Sequence, residues 1–283
     1  MPHWTILVDA QELAAALDDC IVIDCRHDLL DAQAGRRAYA EGHIPGAFFL
    51  HQDEDLAGPM TGTNGRHPLP DRDRLAERLA ALGLTADTQL VAYDAQGCAL
   101  AGRLWWLARW IGHRRVAVLD GGLPAWKAAG LPVSTEVPTP RAGGQLQASG
   151  EPGMPLRTAG QILANIDTAA ELVVDARAAE RFRGEAEPID PVAGHIPGSI
   201  NRPLQRNLRE DGRYKPAPVL RQEFAELLGG RDPATIVHSC GSGVSALQNM
   251  LAMEHAGLTG SALYAGSWSE WCSDPARPVG KGG

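Results

Sequence analysis

Short runs of β-branched and other apolar residues alternate along the chain with longer segments whose apolar residues recur at helical spacing. The short runs predict strands buried on both faces, at residues 21–24, 90–93, 116–119, 173–175, 235–237 and 262–264. Segments 99–111 and 244–255 predict helices, and Gly112 and Gly257 follow them as suitable C-terminal residues. This alternation predicts an α/β fold with parallel sheets flanked by helices.

The sequence contains an internal repeat, because several motifs return in the same order in the second half of the chain. The motifs are VIDCR at 22–26 and VVDAR at 173–177, HIPGA at 43–47 and HIPGS at 195–199, and LDGG at 119–122 and LYAG at 263–266. Two copies of one domain are therefore predicted. Prolines and glycines crowd residues 134–155, as is typical of a linker, so the expected domains are 1–140 and 155–283.

The segment around Cys240 has the pattern of a nucleophile loop: a strand, a cysteine, two glycines and a helix. In open α/β sheets, sites form at the carboxyl ends of strands. Small residues let the N–H groups of residues 241–245 point at one atom, and the helix N-terminus adds positive potential. Both effects favour a thiolate. We therefore predict Cys240 as the nucleophile, with no metal or cofactor, and a surrounding cradle formed by Gly241, Gly243, Val244 and Ser245.

The repeat supplies an internal comparison for Cys240. Aligning the ends of the corresponding strands places Asp94 opposite Cys240, so the first copy lacks the nucleophile. We expect one copy to be catalytic and the other to support it. The remaining cysteines are expected to be buried structural thiols, and they are Cys20, Cys25, Cys98 and Cys272.

Composition narrows the possible partners and the compartment. The formal net charge of -8 argues against nucleic acid as the main partner. No stretch of about 18 apolar residues is present, so no membrane span is expected. No secretory signal is visible, and the five scattered cysteines form no CxxC or metal-binding spacing. A reducing compartment, the cytoplasm, is expected.

The two HIPG motifs, CGSGVS at 240–245 and GSWSEW at 266–271 resemble the rhodanese superfamily, and more narrowly its two-domain thiosulfate and 3-mercaptopyruvate sulfurtransferases. The resemblance covers nearly the whole chain. It implies tandem rhodanese-like domains and a persulfide on Cys240. It also implies a small anionic sulfur donor and an acceptor that is cyanide, a thiol or a thioredoxin-like reductant.

The loop resembles the mercaptopyruvate branch more than the thiosulfate branch, which usually carries basic residues just after the cysteine. In that branch a serine, a histidine and an acidic residue handle protons. The matching residues are Ser242, His67 and, counted from the first HIPG motif, Asp53, with Asp55 as the alternative acid. The chemistry requires such a set, because a leaving enolate must be protonated.

The resemblance also implies that Arg181 holds the anionic end of the donor, for which a guanidinium is well suited. Mercaptopyruvate enzymes typically have a second arginine after a Glu-Pro pair. Here Glu187-Pro188 is followed by Ile189. The second half of the clamp is therefore missing or supplied from elsewhere, which keeps thiosulfate as an alternative donor.

The sequence argues against two other functions. A cysteine phosphatase or arsenate reductase needs an arginine six or seven residues after its cysteine, and those positions are Ala246 and Leu247. A non-catalytic binding module would fit the first copy, but the intact Cys240 loop argues against it for the whole protein. His43 and His195 recur in both copies, so we expect them to pack turns and not to catalyse.

Overall fold

The first half of the chain forms a five-stranded sheet from the predicted apolar runs. The computed structural model describes residues 3–282. The strands are β1 (Leu7–Val8), β2 (Cys20–Asp24), β3 (Phe48–Phe49), β4 (Gln89–Tyr93) and β5 (Val116–Leu119). They pair in parallel in the order β1-β5-β4-β2-β3, so β4 is the central strand. The helices are α1 (Ala10–Ala15), α2 (Ala34–Glu41), α3 (Arg72–Ala80), α4 (Ala101–Trp110) and α5 (Gly122–Ala128).

The second half repeats this topology. Its strands are β6 (Leu156–Arg157), β7 (Leu172–Asp175), β8 (Ile200–Asn201), β9 (Ile236–Ser239) and β10 (Ala262–Tyr264). They pair in parallel in the order β6-β10-β9-β7-β8, with β9 at the centre. The helices are α6 (Ala159–Thr168), α7 (Ala179–Phe182), α8 (Ala217–Leu228), α9 (Ala246–His255) and α10 (Ser267–Trp271). The fold is α/β, with two parallel sheets flanked by helices, as predicted.

The described residues divide into two compact units. Unit 1 comprises the residues up to Gly58, Pro70–Gly153 and Leu208–Tyr214. Unit 2 comprises Pro59–Leu69, Met154–Asn207 and the described residues from Lys215 onward. Each unit thus contains one sheet and a short segment from the other half of the chain. The domain bounds 1–140 and 155–283 stay a prediction, because Pro59–Leu69 belongs to unit 2 and Leu208–Tyr214 belongs to unit 1.

The core of each unit is made by the residues that the apolar pattern selects. In unit 1, Leu13 of α1 and Trp126 of α5 join Val22 and Val91 of the central strands in one buried cluster. In unit 2, Ile162, Val173 and Val237 cluster with the two tryptophans of α10. The sheets are therefore stabilised by burial of β-branched side chains under helices, at about 25 cal/mol for each Å² of apolar surface removed from water.

The two long predicted helices begin later than expected. We predicted starts at residues 99 and 244, whereas α4 begins at Ala101 and α9 at Ala246. In both units the residues before the helix belong to a loop that turns back toward the end of the central strand. The apolar spacing continues into this loop, whose residues are buried or partly buried, and periodicity alone does not distinguish loop from helix.

The recurring histidines pack turns, as expected. His43 stacks on Tyr39 with 3.9 Å between ring centroids, and its Nδ1 lies 2.8 Å from the Tyr39 carbonyl oxygen. His195 repeats the arrangement on Phe182, with a centroid distance of 3.9 Å and an Nδ1–carbonyl distance of 2.7 Å. The same contacts in both units account for the repeated motif without a catalytic role.

The loop after β4 closes around the carboxylate of Asp94. One carboxylate oxygen accepts the N–H groups of Gln96 and Cys98, each at 2.9 Å. The other accepts those of Leu100 at 2.8 Å and Ala101 at 2.9 Å. Burial raises the pKa of Asp94 above its ordinary value, although these four N–H groups act in the opposite direction. The side chain therefore serves as the internal acceptor that organises the loop.

We expect Asp94→Ala to destabilise unit 1, because four N–H groups, two of them in buried hydrogen bonds, lose their acceptor. The expected loss is about 3 kcal/mol of unfolding free energy, which corresponds to a fall in Tm of roughly 6–12 °C. Scanning calorimetry measures this fall. The matched control is Asp87→Ala, since the Asp87 side chain is 87% exposed. Equal Tm values for the two variants would show that the Asp94 hydrogen bonds do not organise the loop.

Candidate active site

Cys240 follows β9, at the carboxyl end of the central strand of unit 2, and corresponds in position to Asp94. It is 1% exposed. Its Sγ accepts the N–H of Gly243 at 3.2 Å, and the Ser267 Oγ lies 4.0 Å from the sulfur. The Cys240 N–H donates to the same Ser267 Oγ at 3.1 Å. The sulfur therefore has one backbone N–H within hydrogen-bonding distance and one hydroxyl oxygen nearby.

Gly243 is required by the geometry of this loop. Its φ is +75°, in the left-handed region, and a methyl group built on it would lie 2.1 Å from the Ala265 carbonyl oxygen. The first residues of α10 fix the loop from the other side. The Trp268 N–H donates to the Cys240 carbonyl at 3.0 Å, and the Ser269 N–H donates to the Gly241 carbonyl at 2.9 Å.

The loop then leads directly into α9. Val244 is 6% exposed, and Ser245 is the residue immediately before the first helical residue. Gly243 supplies the N–H observed on the sulfur. The roles of Gly241, Val244 and Ser245 in a substrate cradle stay a prediction.

His67 and Ser242 lie together, as the sequence comparison implied. The His67 Nδ1 is 2.7 Å from the Ser242 Oγ, and both residues are buried. His67 belongs to Pro59–Leu69, the short segment from the first half of the chain that is part of unit 2. A histidine and a hydroxyl at this distance can exchange a proton. Ser242 lies two residues after Cys240 in the sequence, so this exchange would take place near the sulfur.

Asp53 and Asp55 belong to unit 1. The Asp53 Oδ2 lies 3.8 Å from the His27 Nε2, and the Asp53 N–H donates to the His51 Nδ1 at 3.2 Å. Asp55 accepts the His51 N–H at 2.8 Å and the Nε–H of Arg78 at 2.7 Å. Which of the two is the acidic partner of His67 stays a prediction.

Arg181 is held by two carboxylates of its own unit. Glu187 accepts from the Arg181 Nε at 3.1 Å and from its Nη2 at 2.6 Å, and the Asp190 Oδ2 lies 3.3 Å from the same Nη2. Burial alone would raise the pKa of Glu187, but hydrogen bonds from Arg181 and from the N–H groups of Asp190 and Ile189 bring it below its ordinary value. Glu187 is therefore an anion that fixes Arg181.

The other cysteines are poor nucleophiles. Burial and the neighbouring Asp19 raise the pKa of Cys20 to about 11. Burial likewise raises the pKa of Cys25 and Cys98 well above the ordinary thiol value. Cys272 is partly exposed, and burial together with Asp190 raises its pKa. They remain thiols at neutral pH. Cys20, Cys25 and Cys98 are buried as predicted, whereas the prediction of burial is wrong for Cys272.

The sequence matches a known family over most of its length. The family model described as "Rhodanese-like domain" matches residues 9–129 and 158–274, one match for each half of the repeat. The chain belongs to the rhodanese family. It is 48% identical over 281 residues to the "Probable 3-mercaptopyruvate sulfurtransferase" of Pseudomonas aeruginosa, covering 98% of both chains.

This rhodanese is also similar to proteins that are named for two different sulfur donors. It is 37% identical over 289 residues to the "Putative thiosulfate sulfurtransferase SseB" of Mycobacterium tuberculosis, covering 98% of this chain and 97% of the relative. A solved structure of SseA from Escherichia coli, described as a 3-mercaptopyruvate sulfotransferase, matches with a TM-score of 0.80 and 30% identity. That match covers 94% of this chain and 99% of SseA.

Sequence reasoning missed three residues of this rhodanese's site, namely Arg66, Asp190 and Ser267. The Arg66 N–H donates to the Ser269 Oγ at 3.1 Å, and its guanidinium is ion-paired with Asp190. Ser267 has a φ of +51°, which is unusual for a residue with a side chain and marks a constrained position. A signal existed for Arg66 alone, since it directly precedes His67.

The helices of the described part of the chain, residues 3–282, include none long and apolar enough to cross a membrane.

We expect Gly243→Ala to disrupt the loop beyond the cost of its positive φ. The added methyl group meets the Ala265 carbonyl, and such overpacking costs about 2 kcal/mol, or roughly 4–8 °C in Tm. Gly198→Ala is the control, because Gly198 has a φ of +79° and open space around its Cβ position. If both variants lose the same Tm in calorimetry, the close approach to Ala265 has no energetic consequence.

Proposed function

We propose that this rhodanese transfers the sulfur of 3-mercaptopyruvate to a thiophilic acceptor through a persulfide on Cys240. The observation that carries the proposal is the contact of 2.7 Å between His67 and Ser242, beside a cysteine whose sulfur already accepts a backbone N–H. The name of the Pseudomonas aeruginosa relative, which covers the same length, supports the same donor.

The first half-reaction moves the donor sulfur to the enzyme. The Cys240 thiolate attacks the thiol sulfur of 3-mercaptopyruvate, an S–S bond forms, and the carbon–sulfur bond breaks. The electron pair of the broken bond leaves as the enolate of pyruvate. Ser242 gives this carbon a proton and regains one through His67, and the proton lost from the donor thiol balances the exchange. The products are pyruvate and a Cys240 persulfide anion.

The second half-reaction returns the enzyme to its starting state. A thiolate or cyanide attacks the outer sulfur of the persulfide, and the Cys240 thiolate leaves. The backbone N–H groups around the sulfur stabilise the anion on both sides of this step. Asp53 is proposed to orient His67, and Arg181 to bind the donor's anionic end, with Gly241, Val244 and Ser245 lining the cradle.

Thiosulfate is the second candidate donor. The named activity of the Mycobacterium tuberculosis relative and the presence of Ile189 after the Glu-Pro pair favour it. Sulfite leaves thiosulfate as an anion that needs no proton, so this reaction makes no demand on Ser242. The two donors are therefore distinguishable by the role of that serine.

The acceptor and compartment follow as proposals. A thiol or a thioredoxin-like reductant is the proposed acceptor, since a persulfide is discharged by thiolates. All five cysteines are free, which supports a reducing compartment, and we propose the cytoplasm.

The direct test compares kcat/KM for 3-mercaptopyruvate and thiosulfate, with cyanide as acceptor. We expect a preference for 3-mercaptopyruvate above about tenfold, or roughly 1.4 kcal/mol of transition-state discrimination. Cys240→Ala should abolish both reactions without loss of fold, whereas Cys20→Ala should retain them. A preference for thiosulfate would select the second donor, and activity that survives in Cys240→Ala would refute the persulfide mechanism.

We expect Ser242→Ala to slow the mercaptopyruvate reaction about 100-fold in kcat, the usual scale of general acid catalysis. The thiosulfate reaction should change by less than about threefold, because sulfite leaves without a proton. Ser239→Ala is the control, since the buried Ser239 Oγ has no hydrogen-bond partner among the described residues. Equal losses with both donors would assign Ser242 to loop structure and remove it from proton transfer.

A further inference from the structure

We propose that Arg66 is the second arginine of the donor-carboxylate clamp, and that it replaces the arginine whose usual position is occupied by Ile189. This inference rests on the proposed function, because it concerns how the same site recognises its donor. It assigns a binding role to a residue far from Ile189 in the sequence.

The position after the Glu-Pro pair offers no charge to a ligand. Ile189 is exposed, and its N–H donates to the Glu187 Oε1 at 3.1 Å. It helps to fix the carboxylate that holds Arg181. The backbone at Ile189 therefore helps to position Arg181 through Glu187. A second cation for the donor would have to come from another part of unit 2.

Arg66 places a guanidinium beside Arg181 on the nucleophile loop. A methyl group built on Gly241 would lie 2.9 Å from the Arg66 Nη2 and 3.9 Å from both Nη atoms of Arg181. Both cations thus lie over the residue that directly follows Cys240. A donor whose sulfur reaches Cys240 would present its carboxylate to this pair.

Two buried carboxylates form ion pairs with Arg66 and Arg181. Asp190 is ion-paired with the Nη1 of Arg66 and lies 3.3 Å from the Nη2 of Arg181, and Glu187 holds Arg181. The side chains of Asp190 and Glu187 are each 3% exposed. The Nη2 of Arg66 and the Nη1 of Arg181 remain on the Gly241 side. This fixes both arginines before a ligand arrives, which lowers the entropic cost of binding.

The absence of a side chain at residue 241 is part of the same arrangement. Any side chain there would begin within 2.9 Å of the Arg66 Nη2. A basic residue after the cysteine, as the thiosulfate branch has, would therefore displace Arg66. Gly241 and Arg66 therefore act together. Arg66, from Pro59–Leu69, supplies the positive charge, and Gly241 leaves room for it because it has no side chain.

Space for a small donor exists beside Arg66. A cleft of about 440 Å³ within unit 2 is lined by Arg66, Ile189, Asp190 and Ser269 among others. Small-molecule sites are typically about 300–1,000 Å³. The cleft borders Arg66, whereas Cys240 and Arg181 are not among its lining residues. It therefore supplies room beside this guanidinium and says nothing about the path to the sulfur.

The test compares Arg66→Met with the wild type on 3-mercaptopyruvate and on mercaptoacetone, which keeps the thiol and ketone but lacks the carboxylate. We expect kcat/KM for 3-mercaptopyruvate to fall about 30-fold, chiefly through KM, as for the loss of a charged hydrogen-bond pair. The change with mercaptoacetone should stay below about threefold. Arg66→Lys should fall between the wild type and Arg66→Met, and adding Ile189→Arg to Arg66→Met should restore most of the loss.

The matched control is Arg157→Met. Arg157 lies in the same unit, is 27% exposed compared with 24% for Arg66, and is likewise ion-paired, with Glu171. It should leave both reactions unchanged. Equal losses with both substrates in Arg66→Met would mean that Arg66 only supports the loop, and no loss with either would exclude it from the site; each result overturns the inference.

A binding readout separates this inference from the proposed function. Pyruvate should protect Cys240 from alkylation by iodoacetamide, and Arg66→Met should raise the half-protecting concentration about 30-fold. Wild-type protein that is protected but does not turn over 3-mercaptopyruvate would refute the proposed donor and still support the clamp. Protection that is absent, or unchanged in Arg66→Met, would refute the clamp whatever the turnover.

Discussion

The chemistry of this protein depends on the hydrogen bonds that a backbone loop makes to the residue at the end of each central strand. The loop folds back on itself, so its N–H groups need an acceptor at its centre. In unit 1 the acceptor is the carboxylate of Asp94, which takes four N–H groups. In unit 2 it is the sulfur of Cys240.

The difference between those two acceptors separates a structural loop from a reactive one. The two oxygens of Asp94 take up the donors of the loop, and the carboxylate is not a sulfur nucleophile. A sulfur at the same place can act as a nucleophile, and the observed N–H on it comes from Gly243. The repeat therefore supplies one architecture with two outcomes, set by the residue that follows the central strand.

The charged residues around the Cys240 loop also depend on one another. Glu187 and Asp190 are buried anions that would be costly alone, and each is paired with an arginine that reaches toward Gly241. Removal of one partner would leave a buried charge, so the cluster is mutually dependent. It gives unit 2 a fixed pair of cations in a protein whose net charge is -8.

Local sequence patterns are enough to predict the central strands within two residues and the two similar sheets, because these features depend on local periodicity. The Cys240 loop likewise indicates the candidate nucleophile, because its glycines allow a tight turn beside the sulfur. The tertiary structure was needed to show that residues 99–100 and 244–245 form loops and that Arg66 and Arg181 both lie beside Gly241. It also gave the distance of 2.7 Å for the His67–Ser242 pair that the resemblance implied. Those contacts join residues up to 175 positions apart, and no local pattern records which distant side chains will share one buried space.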